Sequence, residues 1–335
     1  MQVRKNWIIV IVVIGIVLVC AVVWYLQTPS QARAPEEPLT IASGNQEVSA
    51  LTMIADEKGY FRNHGLNVTI RNYPTGIFAM DELLAGTADL ACASEVVGVS
   101  TSFNSGDFRI IATTAWRDAN ALVIRNDRGI VRPSDLKGKK IAFTKGTAAE
   151  FFLGRYLALN GMNIRNITVQ FLNPADMAGS LDRGDSDAVV IWEPYVYEIM
   201  QKLGRNVTAW QVQGGQKTYW VTYARPDFIN NKPETIRRYL RALDDAETLV
   251  NTNEPEAKAI IQRRLNVTDD YMDNLWRNNR FGLSLEQGLI LAMQDEARWM
   301  VEGNMTGGRA PPSYLDMIYQ DPMREVKPSA VTIIR

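Results

Sequence analysis

Few residues in this chain could do chemistry. The one histidine, His64, sits in a polar turn before Gly65, where a solvated surface imidazole is expected. Of the two cysteines, Cys20 lies in an apolar amino-terminal run and Cys92 between Ala91 and Ala93. Outside that run no intramolecular disulfide can form, and Cys92 reads as a packed strand thiol. No Ser-His-Asp set, cysteine cluster, histidine-rich metal arrangement or phosphate-cradling glycine loop can be assembled. Neither catalysis nor a metal nor a cofactor is expected. What remains is a scatter of polar and aromatic residues at the ends of expected elements, suited to holding a ligand.

In open α/β sheets a ligand binds outside the carboxyl ends of the strands, where helix amino termini point. That rule selects Gln46 after the first strand, and Ser94 with Glu95 after the third. Thr114 and Trp116 fall on a crossover segment, and Tyr219 on a later one that returns. In the second half Gly146, Thr147 and Ala148 open a helix, while Trp192 and Glu193 end a strand. Gly146-Thr147-Ala148 is the anion candidate, because the first N–H groups of a helix are unpaired and lie at the positive end of its dipole. Trp192 either lays its indole on the ligand or packs between lobes. Glu193 either accepts a ligand amine or serves the first turn of the following helix. Gln46 and Thr114 have polar groups suited to an oxyanion. Trp276 and Trp299 are expected far from the cleft.

The elements that position these residues follow one grammar. Alternating or apolar runs at 39–43, 67–71 and 88–93 are separated by helical patterns that stop at Gly59 and Gly86. The grammar recurs with strands at 140–144, 167–172 and 186–192 and helices ending at Gly161 and Gly184. Strands alternating with helices imply βαβ units and a mainly parallel sheet. The joints share letters: Leu83-x-x-Gly86-x-Ala88-Asp89 matches Leu181-x-x-Gly184-x-Ser186-Asp187. Two similar lobes are therefore expected, residues 39–117 with 224–335 forming one and residues 118–223 the other with its crossovers. The segment from Pro226 onward reads as mostly helical, at 233–251, 254–265, 269–278 and 285–302.

Arg4 and Lys5 precede an uncharged run over residues 7–26, about the length of a membrane-spanning helix. Basic residues before the span and Trp24 and Tyr25 at its far end predict a signal anchor, with residues 1–6 cytoplasmic. Residues 27–38, holding Pro29, Pro35 and Pro38, read as a tether to a folded domain outside the cell membrane. Cleavage, or lipidation at Cys20, is the alternative. With 36 basic against 37 acidic residues, the basic stripe of a nucleic-acid binder is missing.

Three segments carry a family resemblance. Gly59-Tyr60-Phe61 with Gly65-Leu66-Asn67-Val68, Leu136-Lys137-Gly138-Lys139-Lys140-Ile141-Ala142 with Lys145-Gly146-Thr147-Ala148, and Asp187-Ala188-Val189-Val190-Ile191-Trp192-Glu193-Pro194-Tyr195 resemble the substrate-binding proteins of nitrate, sulfonate, taurine and bicarbonate ABC importers. The resemblance spans about residues 39–299. It implies a hinged two-lobe fold of the type II periplasmic-binding-protein class, a small anionic ligand between the lobes, and permease and ATPase partners. The family also includes pyrimidine-binding receptors of thiamine precursors and pyrimidine-forming enzymes. The latter depend on a histidine and a cysteine cluster, for which this chain has nothing corresponding. A sensor ectodomain is a further alternative, needing a partner to supply its output.

Overall fold

The glycine-punctuated alternation folds as two α/β lobes. The computed structural model describes residues 36–44, 46–118 and 120–334. The chain first lays down β1 (Glu37–Gly44), α1 (Ala50–Glu57), α2 (Tyr60–Asn63), β2 (Leu66–Tyr73), α3 (Gly76–Leu84), β3 (Leu90–Ser94), α4 (Glu95–Ser102) and β4 (Arg109–Arg117). It then builds the second lobe from β5 (Asn120–Arg125), β6 (Lys140–Phe143), α5 (Ala148–Leu159), β7 (Thr168–Phe171), α6 (Pro174–Arg183), β8 (Ala188–Trp192), α7 (Tyr195–Leu203) and β9 (Val207–Gln211). It returns through β10 (Thr218–Ala224), α8 (Pro226–Asn231), α9 (Pro233–Thr252), α10 (Glu254–Leu265), α11 (Asp269–Asn278), β11 (Asn279–Ser284), α12 (Gln287–Glu302) and α13 (Asp321–Val326).

The first sheet has the order β11-β4-β10-β3-β1-β2 and the second β7-β6-β8-β5-β9. In each, three parallel strands are joined by an antiparallel strand that enters or leaves the other lobe: β10 beside β3, and β5 beside β8. The expectation of mainly parallel sheets therefore holds for three of six strands in the first and three of five in the second. β8 is buried along its whole length and β3 nearly so, which explains their uninterrupted apolar sequences.

The paired joints are structurally equivalent. Gly86 and Gly184 both adopt φ 77°, ending α3 and α6 in the left-handed conformation that glycine enters at little cost. The carboxylates of Asp89 and Asp187 each accept a backbone N–H, from Thr40 and Lys140, both at 2.8 Å. Arg225, just beyond β10, donates to the carbonyl of Leu83, and Arg125, at the end of β5, donates to that of Leu181. Each lobe thus secures its helix-to-strand joint with the same aspartate and the same arginine.

Helices of the carboxyl-terminal part complete the first lobe. Ile236, Tyr239, Leu240, Leu243 and Ala246 of α9 recur at helical spacing and are all buried. Four strands escaped the sequence reading. β9 is short and mostly exposed, β11 is short, and β4 with β5 was read as a bare crossover. The strand at residues 279–284 pairs with β4, and the helix expected from 285 begins at Gln287. Among the described residues no helix is long and apolar enough to cross a membrane; the expected span at 7–26 lies outside them.

A donor-lined cavity at the lobe junction

Four chain segments that leave the carboxyl edges of strands converge between the lobes. Gln46 follows β1, Thr75 caps α3 after β2, Ser94 caps α4 after β3, and Thr147 caps α5 after β6. All four have extended backbones, and none uses its side chain to cap its helix. With Ala148 and Trp192 they line a cavity of about 30 Å³. The two connecting strands close it: Arg117 and Asn120 where β4 passes into β5, and Thr218 and Trp220 on β10.

Arg117 is almost fully buried and pairs through Nη1 with the wholly buried Glu47. Burial pushes the Glu47 carboxyl up while the guanidinium opposes that shift. The same Nη1 lies 3.5 Å from the carbonyl oxygen of Glu193, so one residue reaches across the lobe junction. Gln213 holds the two connections together. Its Oε1 accepts from the Asn120 backbone at 2.7 Å and side chain at 2.9 Å, while its Nε2 donates to the Arg117 carbonyl at 3.1 Å and Thr218 Oγ1 at 3.0 Å.

The notable feature of the cavity is its unspent donors. Thr75 Oγ1, Arg117 Nε, Trp192 Nε1 and Trp220 Nε1 are buried with no hydrogen-bond partner among the described residues. Each belongs to a residue that lines the same cavity. A buried unsatisfied donor costs about 1–3 kcal/mol. Four around one small space match a ligand group that only accepts. One acceptor, Asn120 Oδ1, is also unpartnered.

Of the residues selected from sequence, Gln46, Ser94, Thr147, Ala148 and Trp192 line this cavity. The others do not. The Gly146 N–H, expected to meet an anion, instead donates to its own chain's Glu150 Oε2 at 2.6 Å, and Gly146 borders a separate 450 Å³ hollow. Thr147 contributes no free hydroxyl proton either, since its Oγ1 donates to the Thr144 carbonyl at 2.7 Å. The Glu193 carboxylate accepts from the Tyr197 N–H at 3.1 Å, the helix-start role, and burial followed by the neighbouring Glu47 pushes it up to about 7. Glu95 is buried beside Glu296 rather than in the cavity. The Thr114 hydroxyl donates to the Trp220 carbonyl at 3.4 Å.

Tyr219 and Trp116 are neighbours on adjacent strands, as are Thr218 and Arg117. Side chains alternate faces along a strand, so the Arg117–Thr218 pair faces the cavity and the Trp116–Tyr219 pair faces away. There the Lys217 ammonium lies 3.9 Å from the centroid of the Trp116 ring. Sequence reading thus chose residues on these strands, but on the face turned away from this cavity. Thr75 was discoverable, because the edge rule applied to strands one and three covers strand two equally. Arg117, Asn120 and Trp220 carried no local signal. Trp299, expected to be remote, packs edge-on against Phe151 of the opposite lobe at 5.4 Å.

The surroundings of the two expected bystanders are plain. His64 Nε2 lies 2.8 Å from Asp245 Oδ2 near the surface. Cys92 is buried near the Thr222 and Tyr239 hydroxyls, and burial raises its thiol pKa.

Comparison with known proteins places this architecture. The chain is 23% identical over 263 residues to a Bacillus subtilis (strain 168) protein named "Putative aliphatic sulfonates-binding protein", covering 77% of this chain and 79% of the relative. The alkanesulfonate-binding protein SsuA from Xanthomonas axonopodis pv. citri, solved bound to MOPS, superposes with a TM-score of 0.75 at 20% identity, over 86% of this chain and 99% of that one. The desulfurization enzyme DSZB superposes with a TM-score of 0.61 at 14% identity, over 88% and 99%. At these identities the structural matches establish the two-lobe fold alone, which serves both binders and an enzyme. The family model described as NMT1/THI5 like matches residues 46–257, more than half of the sequence, and the chain belongs to that family.

Proposed function

We propose that this protein is an extracytoplasmic solute receptor that closes its two lobes, residues 39–117 with 224–335 and residues 118–223, around the oxyanion head of a small ligand. It hands that ligand to the permease and ATPase subunits of an ABC importer. The observation that carries this reading is the set of four unpartnered buried donors around one cavity. Three of the four are uncharged, and the fourth belongs to an arginine neutralised by Glu47. Such a site holds an anion by hydrogen bonding without the grip of a bare cation, which suits capture followed by release. Oxyanions of the sulfonate, taurine, nitrate and bicarbonate class supply the acceptors. The relative named for aliphatic sulfonates supports the sulfonate member of that class. Gln46, Ser94, Thr147, Ala148 and Trp192 keep their ligand-binding assignment in this reading, joined by Thr75, Arg117, Asn120, Thr218 and Trp220. The protein binds rather than transforms its ligand, and the run at residues 7–26 anchors it in the cell membrane.

Trp192→Phe keeps an aromatic ring and removes only the N–H, so it tests the donor directly. A hydrogen bond to a charged group contributes about 1.5–3 kcal/mol, so methanesulfonate affinity should fall roughly 10- to 150-fold in titration calorimetry on the full-length protein in mild detergent. Trp220→Phe should behave alike. Unchanged affinity in both variants, or no oxyanion of this class binding the wild type, sinks the reading.

A further inference from the structure

The sequence holds five Asn-x-Thr tripeptides, beginning at Asn67, Asn166, Asn206, Asn266 and Asn304, none with proline in the middle. This is the acceptor pattern for an asparagine-linked glycan on the surface of an exported protein. Chance spacing of 22 asparagines and 21 threonines over 335 residues gives one or two, so each position calls for an account. The backbone explains two of them without any sugar. Among the described residues Asn266 and Asn304 are the only non-glycine residues with positive φ, at 53° and 55°, a conformation that asparagine tolerates better than most side chains.

The other three stand at sheet edges. β2 ends the first sheet, and β7 and β9 are the two ends of the second. Asn67 and Thr69 lie in β2, Asn166 comes two residues before Thr168 at the start of β7, and Asn206 directly precedes β9, which holds Thr208. Asn67, Asn206 and all three threonines are exposed, and Asn166 is half-buried. No hydrogen bond engages the side chain of Asn67 or Asn206 among the described residues, and Asn166 uses only Oδ1, which accepts the Asn163 N–H at 2.8 Å. Beyond the Val207 N–H, which closes the turn into β9, no outer backbone group of β2, β7 or β9 has a hydrogen bond from outside its sheet among the described residues. The fourth edge strand, β11, is different. Its Leu283 N–H donates to Glu247 Oε2 at 2.8 Å, and just beyond it Leu285 exchanges backbone bonds with Ala330 and Thr332 at 2.8 and 3.0 Å. The edge that the chain covers itself has no such tripeptide, and the three it leaves open each have one.

An open edge is a template on which a second chain can pair. We propose that the protein is glycosylated at Asn67, Asn166 and Asn206, and that these glycans keep β2, β7 and β9 from pairing with other copies of the chain. Each transfer takes an oligosaccharide from a lipid-phosphate carrier. A bond forms between asparagine Nδ2 and the anomeric carbon, the anomeric C–O bond breaks, the lipid phosphate leaves with its electron pair, and Nδ2 gives up one proton. Nothing is oxidised or reduced. None of the three asparagines lines the cavity at the lobe junction, so the sugars leave the binding site clear. The proposal rests on the extracytoplasmic reading of the folded domain, because the tripeptide is an acceptor in exported chains.

Glycopeptide mass spectrometry on the full-length protein, taken from the membrane fraction of its source cells, should find sugar on the peptides that hold Asn67, Asn166 and Asn206. Treating the intact cells first with a membrane-impermeant amine reagent reports where the domain sits. Labelled lysines with bare asparagines at these positions overturn the glycans and leave the extracytoplasmic reading standing, whereas unlabelled lysines overturn both. The guarding role is read by light scattering on the full-length protein in mild detergent, corrected for detergent and sugar. Protein made in a host without such a transferase should have roughly double the weight-average mass of the glycosylated protein, as copies pair edge to edge. Asn67→Gln/Asn206→Gln, made in the source cells, should shift the same way without disturbing the Asn163–Asn166 turn. Equal masses in all three preparations overturn the role assigned to the sugars.

Discussion

Gly154 gives the sharpest handle on lobe closure. It lies in the middle of α5 in the second lobe, facing Trp299 of α12, a helix that packs on α4 of the first lobe. A Cβ at position 154 would stand 2.4 Å from Trp299 Cζ2 and 2.7 Å from Cε2 and Nε1. Carbon atoms in contact sit at about 3.5–4.0 Å, so Gly154→Ala must open this seam by roughly 1.1–1.6 Å. Trp299 has little room to yield, since Phe151 meets its ring at an interplanar angle of 84°. Overpacking of this kind costs about 1–3 kcal/mol, and here only while the lobes are together. Replacing a mid-helix glycine by alanine meanwhile stabilises the helix by about 1 kcal/mol whether the lobes are open or shut. The two effects carry opposite signs in two assays. On the proposed reading that ligand is gripped only by the closed arrangement, titration calorimetry with p-toluenesulfonate should show affinity falling about 5- to 150-fold. Thermal unfolding without ligand should show a melting temperature equal to or above that of the wild type. Trp299→Ala in the same chain should restore part of the lost affinity, a coupling that a double-mutant cycle isolates. An affinity within twofold of wild type for Gly154→Ala, or a loss that Trp299→Ala does not relieve, refutes the argument.

Two further outcomes are expected. Burial raises the Glu95 carboxyl to about 8, and burial with the neighbouring Glu95 charge raises that of Glu296, so both hold protons more tightly folded than unfolded. The stability they contribute is complete below about pH 4.5 and is lost as pH rises, for Glu95 through about 8 and for Glu193 around 7, with Glu296 shifted in the same direction. The melting temperature should decline from pH 6 to 9 and decline less in Glu296→Gln; an identical slope in the variant contradicts the assignment. Arg117→Met leaves Glu47 buried without its partner and should destabilise by about 3–5 kcal/mol in denaturant unfolding, while Glu47→Leu/Arg117→Met should cost clearly less. Equal costs for single and double variants would show that the pair is not the source.

The joints between helices and strands were legible in the sequence because they obey local rules. Gly86 and Gly184 end helices where only a left-handed residue fits, and Asp89 and Asp187 bond backbone within their own βαβ unit. The edge rule reached Gln46, Ser94, Thr147 and Trp192 for the same reason, since each follows directly from where its strand stops. The lone histidine, and the lone cysteine outside the amino-terminal run, gave the expectation of a site that binds rather than reacts.

Tertiary structure decided the rest. Whether Trp220 or Tyr219 meets the cavity depends on which face of β10 turns inward, and that follows from its insertion between β3 and β4, far away in the chain. The Gly146 N–H was spent on Glu150, a side-chain choice made within one helical turn that spacing does not reveal. Trp299 became a lobe contact because a helix from the end of the chain packs against α4 and so comes to face the Gly154 gap in α5. Periodicity settles which residues share a face, but only the sheet order and the docking of distant helices settle what that face meets.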